Sequence, residues 1–251
     1  MADLAGLSTR ADEAGIFCDF DGCLSDIVPD PDDAKLATGA SGVLARLTKK
    51  FSVVTLVSGR AVRDLASRVR AEGVRLVGLH GLEEIVDGRV RVLPEAEGVR
   101  DDIENAAREV KVALRGLRGV IVKHKGLALA VHMRRAPNPD EAERIARPIV
   151  ERISTSHKLR LLPGRRILEL RPPLGGDKGH AVARIVEELR LRGALVAGDD
   201  AGDIPAFDAI TTLDVAVRVA VASDESPAAL IERADLVVGS PNELVALLKK
   251  L

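Results

Sequence analysis

The chain has 251 residues, 46% of them apolar and 30% charged, enough to bury one large core or a core with a smaller companion. Its 37 Lys and Arg nearly cancel its 38 Asp and Glu, so no basic field recommends nucleic acid as a partner. No apolar run reaches the length of a membrane span and the opening "MADLAGLSTR" lacks a signal-peptide core, so a cytoplasmic protein with no membrane partner is expected.

The predicted elements begin with "IFCDF" (16–20), a short buried strand that runs straight into two aspartates, Asp19 and Asp21. "ASGVLARLTKK" (40–50) has helical spacing, "SVVTLV" (52–57) is a β-branched strand, "RAVRDLASRVR" (60–70) a helix and "RLVGL" (75–79) a strand. This alternation predicts a parallel sheet with helices on both faces. The same grammar returns near the end. A helix is expected over 177–193, with Asp177 as its N-cap and Gly193 as its stop, followed by strands at 194–200, 213–219 and 234–239 and a closing helix over 241–251.

The middle reads differently. A helix over 97–117 precedes two strands within "GVIVKHKGLALAVHMRR" (119–135), joined near Lys125-Gly126. A second helix over 139–154, with Pro148 as a possible kink, precedes a second hairpin over 158–173 that turns at Pro163-Gly164. Hairpins make antiparallel sheet, so the expected fold is α/β: a doubly wound, Rossmann-like parallel core formed by 1–96 and 172–251. Into it is inserted an α+β cap of order αββαββ at 97–171.

Sites in open parallel sheets lie at the carboxyl ends of strands. Asp19 and Asp21 follow the first strand, Ser58-Gly59-Arg60 the second, and Asp199, Asp200 and Asp203 the strand "ALVAG". Lys178 falls in the first turn of its helix, where a cation meets the positive end of the dipole unless an anion is bound there. Taken singly, D-x-D-G reads as a turn, Ser58 as a helix cap, the acidic run as a loop and Lys178 as a solvated side chain. Taken together, carboxylates from two strand ends suit a hard divalent cation, and a hydroxyl, backbone N–H groups and a lysine suit the phosphate such a cation bridges. Cys18 and Cys23 flank the acid pair and read as thiols of a reducing compartment. Neither is followed by Arg at the sixth position, so a cysteine phosphatase is excluded, and no Walker A or G-x-G-x-x-G spacing is present.

The order D-x-D-G, Ser, Lys, G-D-x-x-x-D resembles the haloacid-dehalogenase-like phosphatases, and within them the trehalose-6-phosphate phosphatase family. The stretches that carry the likeness are "FCDFDGCLSDIVPDPDDA" (17–34), "LVSGR" (56–60), "GLHGLE" (78–83), "KHKGLALAVHMR" (123–134), "GRRILELRP" (164–172), "DKGHAV" (177–182) and "GDDAGDIPAF" (198–207). The resemblance implies that Asp19 is the nucleophile and Asp21 the general acid and base. It implies that Ser58, Gly59 and Lys178 bind phosphate, and that Asp19, Asp21 through its carbonyl, Asp199 and Asp203 serve Mg²⁺. It further implies that Arg60, His80, Glu83, Lys125, His132, Arg134, Glu169, Arg171 and Asp200 serve the substrate. Cys23, Gly202 and Lys123 depart from the family's usual residues, which are Thr, Thr and an acid.

The expected reaction is Mg²⁺-dependent hydrolysis of a small-molecule sugar phosphate by a monomer, with trehalose 6-phosphate the first candidate. The alternatives are another glycosyl phosphate, such as a mannosyl- or glucosyl-phosphoglycerate or sucrose phosphate, and, from a different class, a phosphoryl-accepting signalling domain. The last is usually near half this length and has neither a cap nor an early D-x-D.

Overall fold

The computed structural model describes residues 3–86, 88–164, 166–173 and 177–251, and leaves aside the side chains of Glu95, Glu97 and Pro163. By contacts the chain divides into two compact units. One comprises Met1–Val28, Ala34–Arg91 and Gly176–Leu251; the other comprises Pro29–Asp33 and Val92–Gly175.

The first unit contains α1 (Leu4–Thr9), β1 (Ala14–Cys18), α2 (Ala40–Leu47), β2 (Val53–Val57), α3 (Val62–Arg68), β3 (Arg75–Gly78), β4 (Glu83–Val86) and β5 (Arg89–Val92). It resumes after the second unit, which carries α4 (Pro94–Glu97), α5 (Arg100–Ala113) and α6 (Pro139–Ser156). It then adds α7 (Lys178–Glu188), β10 (Gly193–Gly198), α8 (Ile204–Ala209), β11 (Val215–Val221), α9 (Ala228–Arg233), β12 (Leu236–Val238) and α10 (Pro241–Leu248). The strands form one sheet in the order β12-β11-β10-β1-β2-β3-β4-β5. β1 lies between β10 and β2, parallel to both, with Phe17 opposite Val196 and Thr55.

Successive side chains of a strand point to opposite faces, and both faces here are apolar. Ile16, Cys18, Val54, Leu56, Leu195 and Val217 pack with Val43, Leu44 and Leu47 of α2, Val62 and Leu65 of α3, and Leu244 and Leu248 of α10. Phe17, Val57, Val77, Val196 and Ala220 pack with Ala181, Val182 and Ile185 of α7, Ala206 and Phe207 of α8, and Leu230 of α9. Each fully buried Leu, Val or Phe contributes roughly 1.5–3 kcal/mol of transfer free energy. The doubly wound core expected from the alternating pattern is therefore present.

The core also holds elements the periodicity did not reveal. α1, α8 and α9 are short, and β4 and β5 extend the sheet beyond β3, with β4 antiparallel to it. "EEIV" reads as polar, yet Glu84 is 3% exposed. Arg75 at 2.7 Å, Arg91 at 2.6 Å and Arg184 at 3.4 Å surround its carboxylate. Those partners come from three different elements and make a charged position tolerable in a strand. The first strand ends at Cys18, not Phe20, although Asp19 N–H still donates to Ala197 C=O at 3.0 Å.

The second unit contains α4, α5, α6, β6 (Ile121–His124), β7 (Leu129–His132), β8 (Arg160–Gly164) and β9 (Ile167–Arg171). Its sheet runs β6-β7-β9-β8, antiparallel throughout. The unit begins before residue 97 and ends after 171, and it takes in the separate segment Pro29–Asp33. Ion pairs hold that segment, Lys123 Nζ to Asp32 at 2.6 Å and to Asp30 at 4.0 Å, and Arg135 Nη1 to Asp30 at 2.8 Å. α6 runs through Pro148 as one helix. The second hairpin does not turn at Pro163-Gly164; both residues lie in β8, opposite Leu168 and Ile167, and the chain turns after them.

Register settles the faces of this sheet. Leu129, Val131, Leu168 and Leu170 pack with Ile103, Ala106 and Val110 of α5 and Ala142, Ala146, Val150 and Ile153 of α6. Lys123, Ala130, Glu169 and Leu162 stand in one cross-strand row, with Ile121, His132 and Ile167 in the next. The face away from the helices thus carries Lys123, His132, Glu169 and Arg171.

Candidate active site

Three carboxylates meet at the carboxyl ends of β1 and β10. Asp19, Asp199 and Asp203 are each buried, and one oxygen from each lies within 4.8 Å of the others. Asp19 directly follows β1 and Asp199 directly follows β10, so the parallel pairing of these strands brings them together. Asp203 sits in the single helical turn after β10. Its Oδ2 accepts from the backbone N–H of Asp199 at 3.0 Å and of Asp200 at 3.2 Å. Asp200 in turn caps that turn, accepting from Gly202 N–H at 2.8 Å. Ser226 Oγ donates to the Asp199 carbonyl at 3.2 Å, a contact from beyond β11 that no local pattern announces.

Lys178 neutralises part of this charge. It is 4% exposed, and its Nζ lies 2.9 Å from Asp19 Oδ2 and 2.6 Å from Asp203 Oδ1. Asp177 caps α7, accepting from His180 N–H at 2.8 Å, which sets Lys178 in the first turn as expected. Burial works against the lysine's charge, but Asp19 and Asp203 outweigh it and hold its pKa well above the ordinary value. Burial pushes the Asp19 carboxyl up to about 8; Lys178 opposes the rise, while Asp203, Asp200 and Asp21 add to it.

These residues fit a hard divalent cation. Three clustered carboxylates face one ammonium, and Asp19 Oδ1 is buried with no hydrogen-bond partner. An oxygen left so is unusual unless an ion or water completes it. All-oxygen donors suit Mg²⁺, and its charge would reverse the penalty that burial places on ionised Asp19.

Gly22 makes room for the cluster. Its φ is +80°, and a Cβ there would fall 2.1 Å from Asp199 Oδ2, so the glycine of D-x-D-G serves both the turn and the close approach of Asp199. Asp21 goes elsewhere. Its carboxylate is not part of the cluster and is gripped by Arg60, with Nε to Oδ2 and Nη2 to Oδ1 both 2.7 Å.

Ser58 directly follows β2 and is fully buried, and its Oγ accepts from Arg60 N–H at 3.2 Å. Gly59 lies against the His80 ring: a Cβ on it would be 2.6 Å from Nε2. His80 itself has a left-handed backbone, φ 58°, and donates its N–H to Ser58 C=O at 2.9 Å. Glu83 accepts from Val62 N–H at 2.5 Å and so caps α3. His80 and Glu83 therefore brace the loop that carries Ser58 and Arg60.

In the second unit, Lys125 Nζ meets Glu169 Oε1 at 2.9 Å, and Arg171 Nε lies 3.8 Å from the other oxygen of Glu169. His132 ends β7 on the same face and Arg134 follows in the turn beyond it. Both cysteines are free and buried. Burial and neighbouring acids push Cys18 up to about 12 and Cys23 well above its usual value, which leaves both as inert thiols. No helix of the described residues is long and apolar enough to cross a membrane.

A doubly wound sheet with an inserted α+β unit and acidic residues after β1 and β10 is a haloacid-dehalogenase-like fold. A haloacid dehalogenase-like hydrolase from Bacteroides thetaiotaomicron shares this fold, with a TM-score of 0.60, 15% identity, and 94% of this chain and 98% of that one covered. The profile of the trehalose-phosphatase family matches residues 17–233, and the chain belongs to that family. A trehalose-phosphate phosphatase of Mycolicibacterium paratuberculosis is 38% identical over 82% of this chain and 53% of its own length. One of Mycobacterium bovis is 35% identical over 90% and 58%. An uncharacterized glycosyl hydrolase of Mycobacterium tuberculosis is 37% identical over 81% of this chain, which corresponds to 16% of the relative. The chain thus spans about half the length of the two phosphatases and a small part of the third. Among solved structures, a trehalose-6-phosphate phosphatase related protein has a TM-score of 0.80 at 24% identity, covering 94% of this chain and 96% of that one. At that identity the likeness bears on the fold.

Proposed function

We propose that this chain hydrolyses a sugar phosphate, with trehalose 6-phosphate the first substrate to test. The observation that carries the reading is the buried Asp19–Asp199–Asp203 cluster, neutralised in part by Lys178 and set in a chain of the trehalose-phosphatase family.

Asp19 supplies the carboxylate oxygen that attacks phosphorus, forming an aspartyl phosphate and expelling the sugar oxygen; water then hydrolyses the acyl phosphate and frees Asp19. Asp21 gives a proton to the departing sugar oxygen and takes one from the attacking water. Lys178 holds a phosphate oxygen, and Ser58, whose Oγ accepts from the Arg60 amide, turns its own O–H toward another. Asp19, Asp199, Asp203 and the Asp21 carbonyl would hold Mg²⁺, which when bound offsets the charge between phosphate and carboxylates. Hydroxyl recognition falls to the polar sheet face with Lys125, His132, Glu169 and Arg171, because a site built to bond hydroxyls discriminates strongly when they are missing. Asp200 is already committed to its turn, and His80 and Glu83 to theirs, which supports bracing roles for all three.

A phosphate-release screen over trehalose 6-phosphate, sucrose phosphate and the glucosyl- and mannosyl-phosphoglycerates, with and without Mg²⁺, tests this. Release should be greatest from trehalose 6-phosphate and require the metal. Preference for another glycosyl phosphate would reassign the substrate, and release from none would refute the reading.

A further inference from the structure

Arg60 is engaged on several sides. Its guanidinium gives Nε and Nη2 to the two oxygens of Asp21, each at 2.7 Å, and Nη1 to Asp64 Oδ2 at 2.8 Å. Asp64 is itself held by Arg68, through Nε at 3.0 Å and Nη2 at 2.8 Å. Arg68 is tied to Ala34 C=O at 2.9 Å. The guanidinium also lies 5.2 Å from the centroid of the fully buried Phe20 ring, and the Arg60 backbone N–H and C=O are bonded to Ser58 Oγ and Leu79 N–H. Arg60 is 7% exposed.

We propose that Arg60 is a positioning residue for Asp21, fixing the plane of its carboxylate and keeping it out of the Asp19–Asp199–Asp203 cluster. The proposal rests on the phosphatase reading, in which Asp21 transfers the proton. Two carboxylates two residues apart repel each other, and without a partner Asp21 is free to swing toward the cation site that Asp19 shares. A planar fork bonded to both oxygens fixes the direction of the carboxyl group; a lysine, being a point charge, cannot do so. The Asp64–Arg68 pair and the Phe20 ring keep the fork from turning. A group that must meet a leaving oxygen within hydrogen-bond reach loses rate steeply when misplaced, by about a hundredfold for about 1 Å.

The role predicts selectivity by leaving group. A sugar alkoxide leaves only with a proton, whereas an aryl oxide leaves nearly as well without one. Arg60→Lys should lower kcat for trehalose 6-phosphate at least tenfold, about 1.4 kcal/mol, while kcat for p-nitrophenyl phosphate and both KM values stay within about threefold. Asp64→Ala, which removes the brace and touches no reactant, should show the same selectivity at smaller size. If Arg60→Lys does not fold, the Asp64→Ala result decides alone. A rise in KM with kcat kept would make Arg60 a substrate-binding residue, and equal losses on both substrates would make it a structural brace; either overturns the proposal. Wild type releasing phosphate from neither substrate would instead remove the phosphatase reading on which the proposal stands.

Discussion

Lys178→Met isolates the charge balance of the site. Methionine keeps the length and most of the volume of lysine but removes the cation that lies 2.9 Å from Asp19 and 2.6 Å from Asp203. All three groups are under 7% exposed, so the carboxylates cannot turn to water without opening the site. Breaking a buried pair this way costs about 3–5 kcal/mol, chiefly the desolvation of the charge left behind. For a chain of this size each kcal/mol moves Tm by about 2–4 °C, so the fall should be on the order of 10 °C. The deficit should depend on pH. Burial raises the folded-state pKa of Asp19 to about 8, above its unfolded value, so its proton stabilises the fold at low pH and that stability is lost as pH rises toward 8. Removing the lysine takes away the cation that opposes this rise and lifts the Asp19 pKa further, so the two proteins share this slope below about pH 8 and the variant should lose more ground to wild type as pH rises past about 8. Added Mg²⁺ should narrow the gap. Thermal melts of metal-free protein on both sides of that pH are the assay. A variant within about 2 °C of wild type at every pH would show that Lys178 does not balance these carboxylates.

Four further outcomes follow from the same geometry. Chelation should abolish turnover and Mg²⁺ restore it, and saturating Mg²⁺ at about a hundred times Kd should add about 2.7 kcal/mol to wild-type stability but much less to Asp199→Asn; no stabilisation of wild type would remove the cation from the site. Asp19→Asn should lose turnover by well over tenfold with its melt retained, since the amide lacks the charge to attack phosphorus; activity within about tenfold of wild type would reassign the nucleophile. Gly22→Ala should destabilise by about 1–2 kcal/mol for its φ of +80° and also weaken Mg²⁺ binding by displacing Asp199, which calorimetric titration can separate from the fold change. Glu169→Ala should cut kcat/KM for the sugar phosphate at least tenfold, about 1.4 kcal/mol, and leave an aryl phosphate nearly unchanged; equal effects on both would take substrate recognition away from that sheet face.

What the sequence determined by itself was whatever local periodicity and chain punctuation can encode. Apolar β-branched runs alternating with amphipathic helices specified the doubly wound core, because a parallel sheet buried on both faces leaves little other choice. The ends of those runs placed Asp19, Ser58 and Asp199 at carboxyl ends of strands, and the Asp177 cap placed Lys178 in a first turn. Alternation within the inserted unit likewise put His132 in line with the polar face and Leu168 and Leu170 against the helices.

The tertiary structure alone decided which charges meet. Arg60 and Asp21 are 39 residues apart, Lys178 and Asp203 are 25 apart, and Lys123 finds Asp32 from the segment Pro29–Asp33. No spacing rule encodes such pairs, since they depend on which strand ends become neighbours. The β4 strand was hidden for the same reason: Glu84 looks like a surface residue until Arg75, Arg91 and Arg184 surround it. Glu83 and His80 read from the sequence as substrate residues, and only the fold shows that the Glu83 carboxylate also caps α3 and that the His80 N–H holds the Ser58 carbonyl. Ion pairs and caps are satisfied by partners, and partners are chosen by the packing of apolar faces; the sequence names the charges, while the core decides where each one ends.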